Sequence, residues 1–410
     1  MGTPAGRRLG GTCLAMCLAL PGALAACEPP SAAAFRSAFE AEFPKADANG
    51  PALHLESLAA SLGIDLAPKD APKRTRPTED LAAAYVAPGE YLDTQLSGSD
   101  ERISPPPETV ARFLAEHANA LEEIQSVLLR SEPRWEIDVT LGLRGPMANV
   151  LGHIRLQRLL LTRALLESRE GKPDDAVQTL EASWRLNEEL ASRPDLMSHL
   201  IVVAVARLQT GVLRKVDSPA WGWSDRLRDG KLFAGYLAAL ENECWSNPDL
   251  RDLTGEAGAF GRMLRRIADA YRQRDLCEWT RDSLDQVWQD AHNAELADME
   301  VAFPNLQESF FRWRRYLLDS ELTALVLDAR AERAASRRHL WPEKLLSVGV
   351  GVCPDRKWSY RLGQNGTATL AVDGDAMEAG SAPLRLPLTF TTGTAAPAQR
   401  KPSRPPRPVS

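Results

Sequence analysis

Residues 149–216 constrain the fold of this chain most tightly. Asn149 is the expected cap of a helix that runs to about Glu170. Gly171-Lys172-Pro173-Asp174-Asp175 then stops one helix and starts the next, with proline and acids where a first turn favours them. Ala176, Val177, Leu180, Trp184, Leu190 and Ala191 fall on one face of that second helix. Pro194-Asp195 opens a third, whose apolar run from Leu200 to Ala206 is bracketed by His199 and Arg207. A run that short is a buried helix centre, not a membrane span. Three long helices in succession, joined by short turns, must pack on one another.

The same periodicity recurs on both sides. Residues 31–62 read as two helices, with Ala34, Phe35, Ala38 and Phe39 on one face and Leu53, Leu58 and Leu62 on another. Val110, Phe113, Leu114, His117, Leu121, Ile124 and Leu128 follow the 3.6 period after Pro106-Pro107-Glu108. Further helices are predicted at about 226–245, 254–275, 280–301 and 306–337. Between Leu66 and Pro107, prolines and charges interrupt any period, so that stretch reads as an extended connection with Tyr85 and Tyr91 packed on something.

After Trp341-Pro342 the period changes to two. Alternating runs at 358–363 and 367–372 flank Gln364-Asn365-Gly366, the composition of a β-hairpin turn. Leu384 to Thr391 can add a third strand, with Pro387 confining it to an edge. The fold class read from these patterns is mainly α, an array of helical hairpins closed by a small antiparallel β-hairpin segment. Its parts are a leader (1–26), N-terminal helices with a Pro-rich connection (27–106), a helical domain (107–345), the β segment (346–393) and a basic Pro-rich tail (394–410) with little apolar content to fold.

Residues 160–194 resemble a tetratricopeptide-type hairpin. Ala164, Gly171, Ala176, Leu180 and Ser183 stand where that repeat places its packing residues. Pro194 comes later than the repeat's usual terminal proline, and no second copy follows at a 34-residue period. The layout over roughly 107–390 is similar to uncharacterised exported bacterial proteins; the resemblance implies a fold and no activity.

The first residues address location. Arg7 and Arg8, an apolar stretch from Cys13 to Leu20 and a Pro21-Gly22 break have the layout of a secretory signal peptide. Leu24-Ala25-Ala26-Cys27 resembles the lipobox of bacterial lipoproteins, which implies a mature chain beginning at an acylated Cys27. Glu28 at the next position implies, by the enterobacterial sorting pattern, an outer-membrane destination. Ala23-Leu24-Ala25 also fits ordinary signal cleavage, which would release a soluble chain. Cys244 and Cys277, each within two residues of a tryptophan and about one hairpin apart, are the pair expected to bridge in an oxidising compartment.

The formal net charge of −6 argues against nucleic acid as a partner. Six scattered histidines form no ligand spacing, so neither a metal nor another cofactor is indicated. Gln307-Glu308-Ser309 resembles the Glu-Ser motif of lytic transglycosylases, but the family's downstream glycine-containing segment is missing and Glu308 reads as a solvated helix acid. Arg155 and Arg158, with His199 on a neighbouring helix, are the candidate groove residues. Arg163, Arg185, Arg207 and Arg214 extend that set or pair with Glu167, Glu181, Glu188 and Glu189 on a solvated face. The function expected is a lipid-anchored envelope protein with a helical face for a protein or peptide partner. The alternative is an envelope hydrolase of cell-wall glycan with Asp or Glu as acid and base.

Overall fold

The computed structural model describes residues 32–68, 77, 81–217, 222–246, 257–273, 279–295, 304–349, 358–364, 366–372 and 387–393. It is mainly helical with one small antiparallel sheet. The central layer is α6 (Val150–Arg169), α7 (Pro173–Ala191) and α8 (Leu196–Lys215). Asn149 Oδ1 accepts the Gly152 N–H at 3.2 Å and Asp195 Oδ1 accepts the Ser198 N–H at 2.8 Å, so α6 and α8 carry side-chain caps. Gly171, at φ +75°, makes the turn from α6 to α7. Gly152 is required for a different reason: a Cβ there would stand 1.9 Å from the Asp65 carbonyl oxygen.

On one side of this layer lie α2 (Gly50–Ser61), α3 (Ala82–Ser97), α4 (Glu108–Glu116) and α5 (Ala118–Arg130), whose apolar faces form a core with Leu156, Leu159 and Leu160 of α6. On the other lie α9 (Trp223–Arg228), α10 (Lys231–Ser246), α11 (Ala257–Gln273), α12 (Arg281–Glu295) and the long α13 (Pro304–Ala335). Their core is rich in aromatic rings, including Tyr236, Tyr271, Trp279, Phe310 and Trp313. Helix α1 (Ala32–Glu42) adds Phe39 to it. Helix α8 is long and apolar enough to cross a membrane, yet most of it is buried inside this body.

The sheet has strands β1 (Trp358–Leu362), β2 (Ala368–Val372) and β3 (Thr389–Thr392) in that order. Trp358, Leu370 and Phe390 pack on Leu322, Leu325 and Val326 of α13. The third strand begins after Pro387 and lies at the edge, as the sequence implies.

One expectation is overturned. The stretch read as an extended connection contains α3, a helix of 16 residues that carries Pro88 in its interior. Tertiary packing outweighs the proline: Tyr91 and Leu92 are buried, and the Pro88 and Gly89 carbonyls accept bonds from Thr162 and Arg158 of α6 at 3.3 and 2.9 Å.

Candidate functional site

Between α5 and α6 the chain crosses the ends of α7 and α10 as an arc over residues 137–147. Arg193, just past α7, holds that arc. Its guanidinium donates to the Pro146 carbonyl at 2.8 Å, the Glu136 carbonyl at 3.3 Å and Asp195 at 3.2 Å. Under the arc is a small cleft open to solvent, lined by Ile137, Val139, Pro146, Met147, Pro194 and Met197, with Asp138, Asp195 and Glu243 among its polar groups.

Each of those carboxylates already has internal work. Asp195 Oδ1 and Oδ2 take the backbone N–H and hydroxyl of Ser198. Glu243 accepts the Leu196 N–H at 3.1 Å, which ties α10 to the start of α8. Lys45 Nζ lies 2.8 Å from Asp138, and Thr140 donates to the same carboxylate. Those hydrogen bonds hold the Asp138 carboxyl below the usual range. Among the apolar lining residues Val139 and Pro194 are buried, while Met147 and Met197 are exposed at the rim; Leu141 on the arc and Leu151 at the start of α6 are exposed outside the cleft lining. Unbranched thioether side chains adapt to irregular apolar partners, which suits such a rim to docking.

The residues singled out from sequence are placed elsewhere. Arg158 is half-buried and joins Asp93 at 2.5 Å, while Arg155 lies 5.9 Å over the Tyr85 ring; both fasten α6 to α3. His199 is buried, its Nε2 3.0 Å from the Arg193 carbonyl oxygen and its ring against Gly235 of α10. None of the three lines the cleft, and His199 faces a different neighbour from the two arginines. Cys27 and Cys277 fall outside the described residues, as does the side chain of Cys244, whose backbone lies on α10 next to Glu243.

The remaining arginines divide by burial. Arg185 pairs with Glu181 at 2.9 Å on the expected solvated face, whereas Arg163 pairs with Glu167 at 2.6 Å largely out of solvent, where Glu167 also accepts the Thr179 hydroxyl at 2.7 Å. Arg207 and Arg214 are buried, against Asp319 of α13. Glu308 pairs with Arg281 at 2.7 Å.

The cleft escaped sequence reading because residues 133–148 have no period. The available signal was Met197, an apolar residue one position inside a helix start, beside Pro194. Comparison of the chain with known protein families, curated proteins and solved structures finds no match.

Proposed function

We propose that this is a lipid-anchored protein of the bacterial cell envelope, held to the membrane through Cys27, whose helical body docks an apolar segment of a partner protein in the cleft under the 137–147 arc. The observation that carries the docking is the division of labour among the lining residues. The polar groups are occupied in building the cleft, and the two exposed methionines on its rim, Met147 and Met197, are left for a guest. The anchor rests on Leu24-Ala25-Ala26-Cys27 and the leader before it. Two linked measurements test the reading. A palmitate analogue labels the wild-type chain, and Cys27→Ser removes the label and releases the protein from the membrane pellet; equal labelling of the variant refutes the anchor. Cross-linking in intact cells with mass spectrometry identifies a partner, and Met197→Asp removes it while leaving the melting temperature unchanged. Recovery of the same partner by that variant refutes the docking.

A second reading, an envelope hydrolase of cell-wall glycan, draws on one observation. Burial, with Glu132 and Glu188 nearby, pushes the Glu189 carboxyl up to about 7. A general acid for glycan cleavage needs a carboxyl protonated near neutrality with a second carboxyl at 5–10 Å, to order of magnitude. Release of soluble fragments from purified cell wall, abolished by Glu189→Gln, is the outcome this reading requires.

A further inference from the structure

Helix α13 ends at Ala335 and is followed by Ser336-Arg337-Arg338-His339-Leu340-Trp341-Pro342. His339 has φ +51°, the one positive φ at a non-glycine among the described residues. A left-handed residue there carries a local steric cost, so the surrounding bonds must hold it. They do: its N–H donates to the Ser336 carbonyl at 3.0 Å, and its own carbonyl accepts from Arg333 Nε at 3.1 Å.

The reversal separates the next two side chains. Trp341 folds back under the Arg333 guanidinium at 4.5 Å and donates from Nε1 to the Gly366 carbonyl at 3.0 Å. Leu340 is left 60% exposed. A second bond, from Tyr360 Oη to the Pro342 carbonyl at 2.9 Å, also ties this turn to the β1–β2 hairpin. The end of α13 and the hairpin tip are therefore one end of the molecule, and that end presents two exposed leucines, Leu340 and Leu362.

The charges around them have the opposite sign to the chain as a whole. Arg337, Arg338, Lys344 and Arg361 are exposed there, against Glu332 and Glu343, in a protein with net charge −6. Exposed leucines with cations close by, beside a half-buried tryptophan, match the three layers of a membrane surface. Branched aliphatics enter the acyl boundary, an indole sits at the headgroup level, and guanidinium forks meet phosphate. A soluble anion would engage the arginines and leave Leu340 in water.

We propose that this end of the protein rests on an anionic lipid surface. The contact is separate from the anchor at Cys27 and from the docking cleft: it fixes which face of the body lies against the bilayer, whether or not Cys27 is acylated.

The test uses residues 27–410 carrying Cys27→Ser, so that no acyl chain contributes, and sedimentation with vesicles of phosphatidylglycerol and phosphatidylcholine or of phosphatidylcholine alone. The basic tail is present in every variant. Binding is expected to the anionic vesicles, weaker at moderate than at low salt, and not to the neutral ones. Arg337→Glu with Arg338→Glu is expected to weaken it about tenfold or more, since each basic residue near an anionic surface adds to the attraction. Leu340→Ser is expected to weaken vesicle binding about fivefold while leaving binding to soluble polyphosphate unchanged. All these side chains are exposed, so melting temperatures should match the wild type. Wild-type binding by both variants would overturn the proposal and assign any attraction to the tail. Loss with the arginine variant but not with Leu340→Ser would overturn it in favour of a soluble polyanion.

Discussion

Helix α8 has two polar seams, and they are built from different chemistry. Toward α6 and α7 the seam is neutral. Ser183 Oγ donates to Gln157 at 2.5 Å and accepts from Gln209 Nε2 at 2.9 Å, while Asn187 Nδ2 donates to the Val202 carbonyl at 3.1 Å. Toward α13 the seam is charged. Asp319, fully buried, faces Arg207 at 3.1 Å, Arg214 at 3.6 Å and Arg315 at 3.7 Å. About three turns further along α13, Arg330 donates to the Leu213, Arg214 and Val216 carbonyls and to Glu101, which also accepts from the Thr392 hydroxyl and the Gly393 N–H. Arg330 thus caps the C-terminus of α8, where a cation is favoured by the exposed carbonyls and the helix dipole.

The two seams differ in what they join. The neutral one links helices that are sequence neighbours, brought together by short turns. The charged one links Glu101, α8, α13 and β3, whose contacts span up to 292 residues of chain. A buried charge is tolerated only where its partner is in place, so this seam admits few alternative arrangements of the distant elements. A neutral amide or hydroxyl costs less to misplace.

That comparison can be broken by mutation. Arg330→Met removes the cation and leaves the Glu101 carboxylate and three helix-end carbonyls without it. It should lower stability by about 3–5 kcal/mol in urea denaturation, with part of the loss recovered in Glu101→Gln/Arg330→Met. A cost below that of Ser183→Ala would reverse the ranking of the seams.

A buried histidine gives the next effect. His153 at the start of α6 packs edge-on to Trp135 at 4.8 Å, with neither ring nitrogen hydrogen-bonded among the described residues. Burial, aided by the Arg193 charge, depresses its pKa to about 3. A folded-state value below the unfolded one means that the stability is present above pH 6.5 and lost as the pH falls toward 3. Between pH 7 and pH 4.5 the loss should be about 2–3 kcal/mol, and His153→Leu should abolish that part of the pH dependence. An unchanged acid slope in the variant would place the titration elsewhere.

The smallest effect belongs to the neutral seam. Ser183→Ala leaves Gln157 and Gln209 short of one bond each, and should cost about 1–2 kcal/mol with little change between low and high salt. Salt sensitivity equal to that of the Arg330 variant would erase the distinction.

The same contrast explains what was legible in the sequence. The α6–α7 hairpin was legible because its signals are local: Asn149, Gly171, Pro173 and the small residues Ala164, Ala176 and Ser183 lie within one repeat length. The hairpin around Gly366 was legible for the same reason. Helix α3 was not, because Pro88 and its polar flanks are local signals against a helix, while its support comes from Arg158 and Thr162, some 70 residues away. The charged seam was invisible because an arginine on an apolar helix reads as a solvated residue until a distant carboxylate such as Asp319 is placed beside it. The cleft was invisible because its arc has no period, and only Arg193 reveals that it is held.

The docking assignment is tested most directly by placing a photoreactive amino acid at Met147 or Met197 in the full chain in living cells, with Leu53, exposed on α2, as the control position. The account predicts one discrete protein adduct, of the same mass, from both cleft positions and none from Leu53. It also predicts that Arg193→Ala, which frees the arc, abolishes the adduct. No adduct from either methionine, or the same adduct from Leu53, would contradict it.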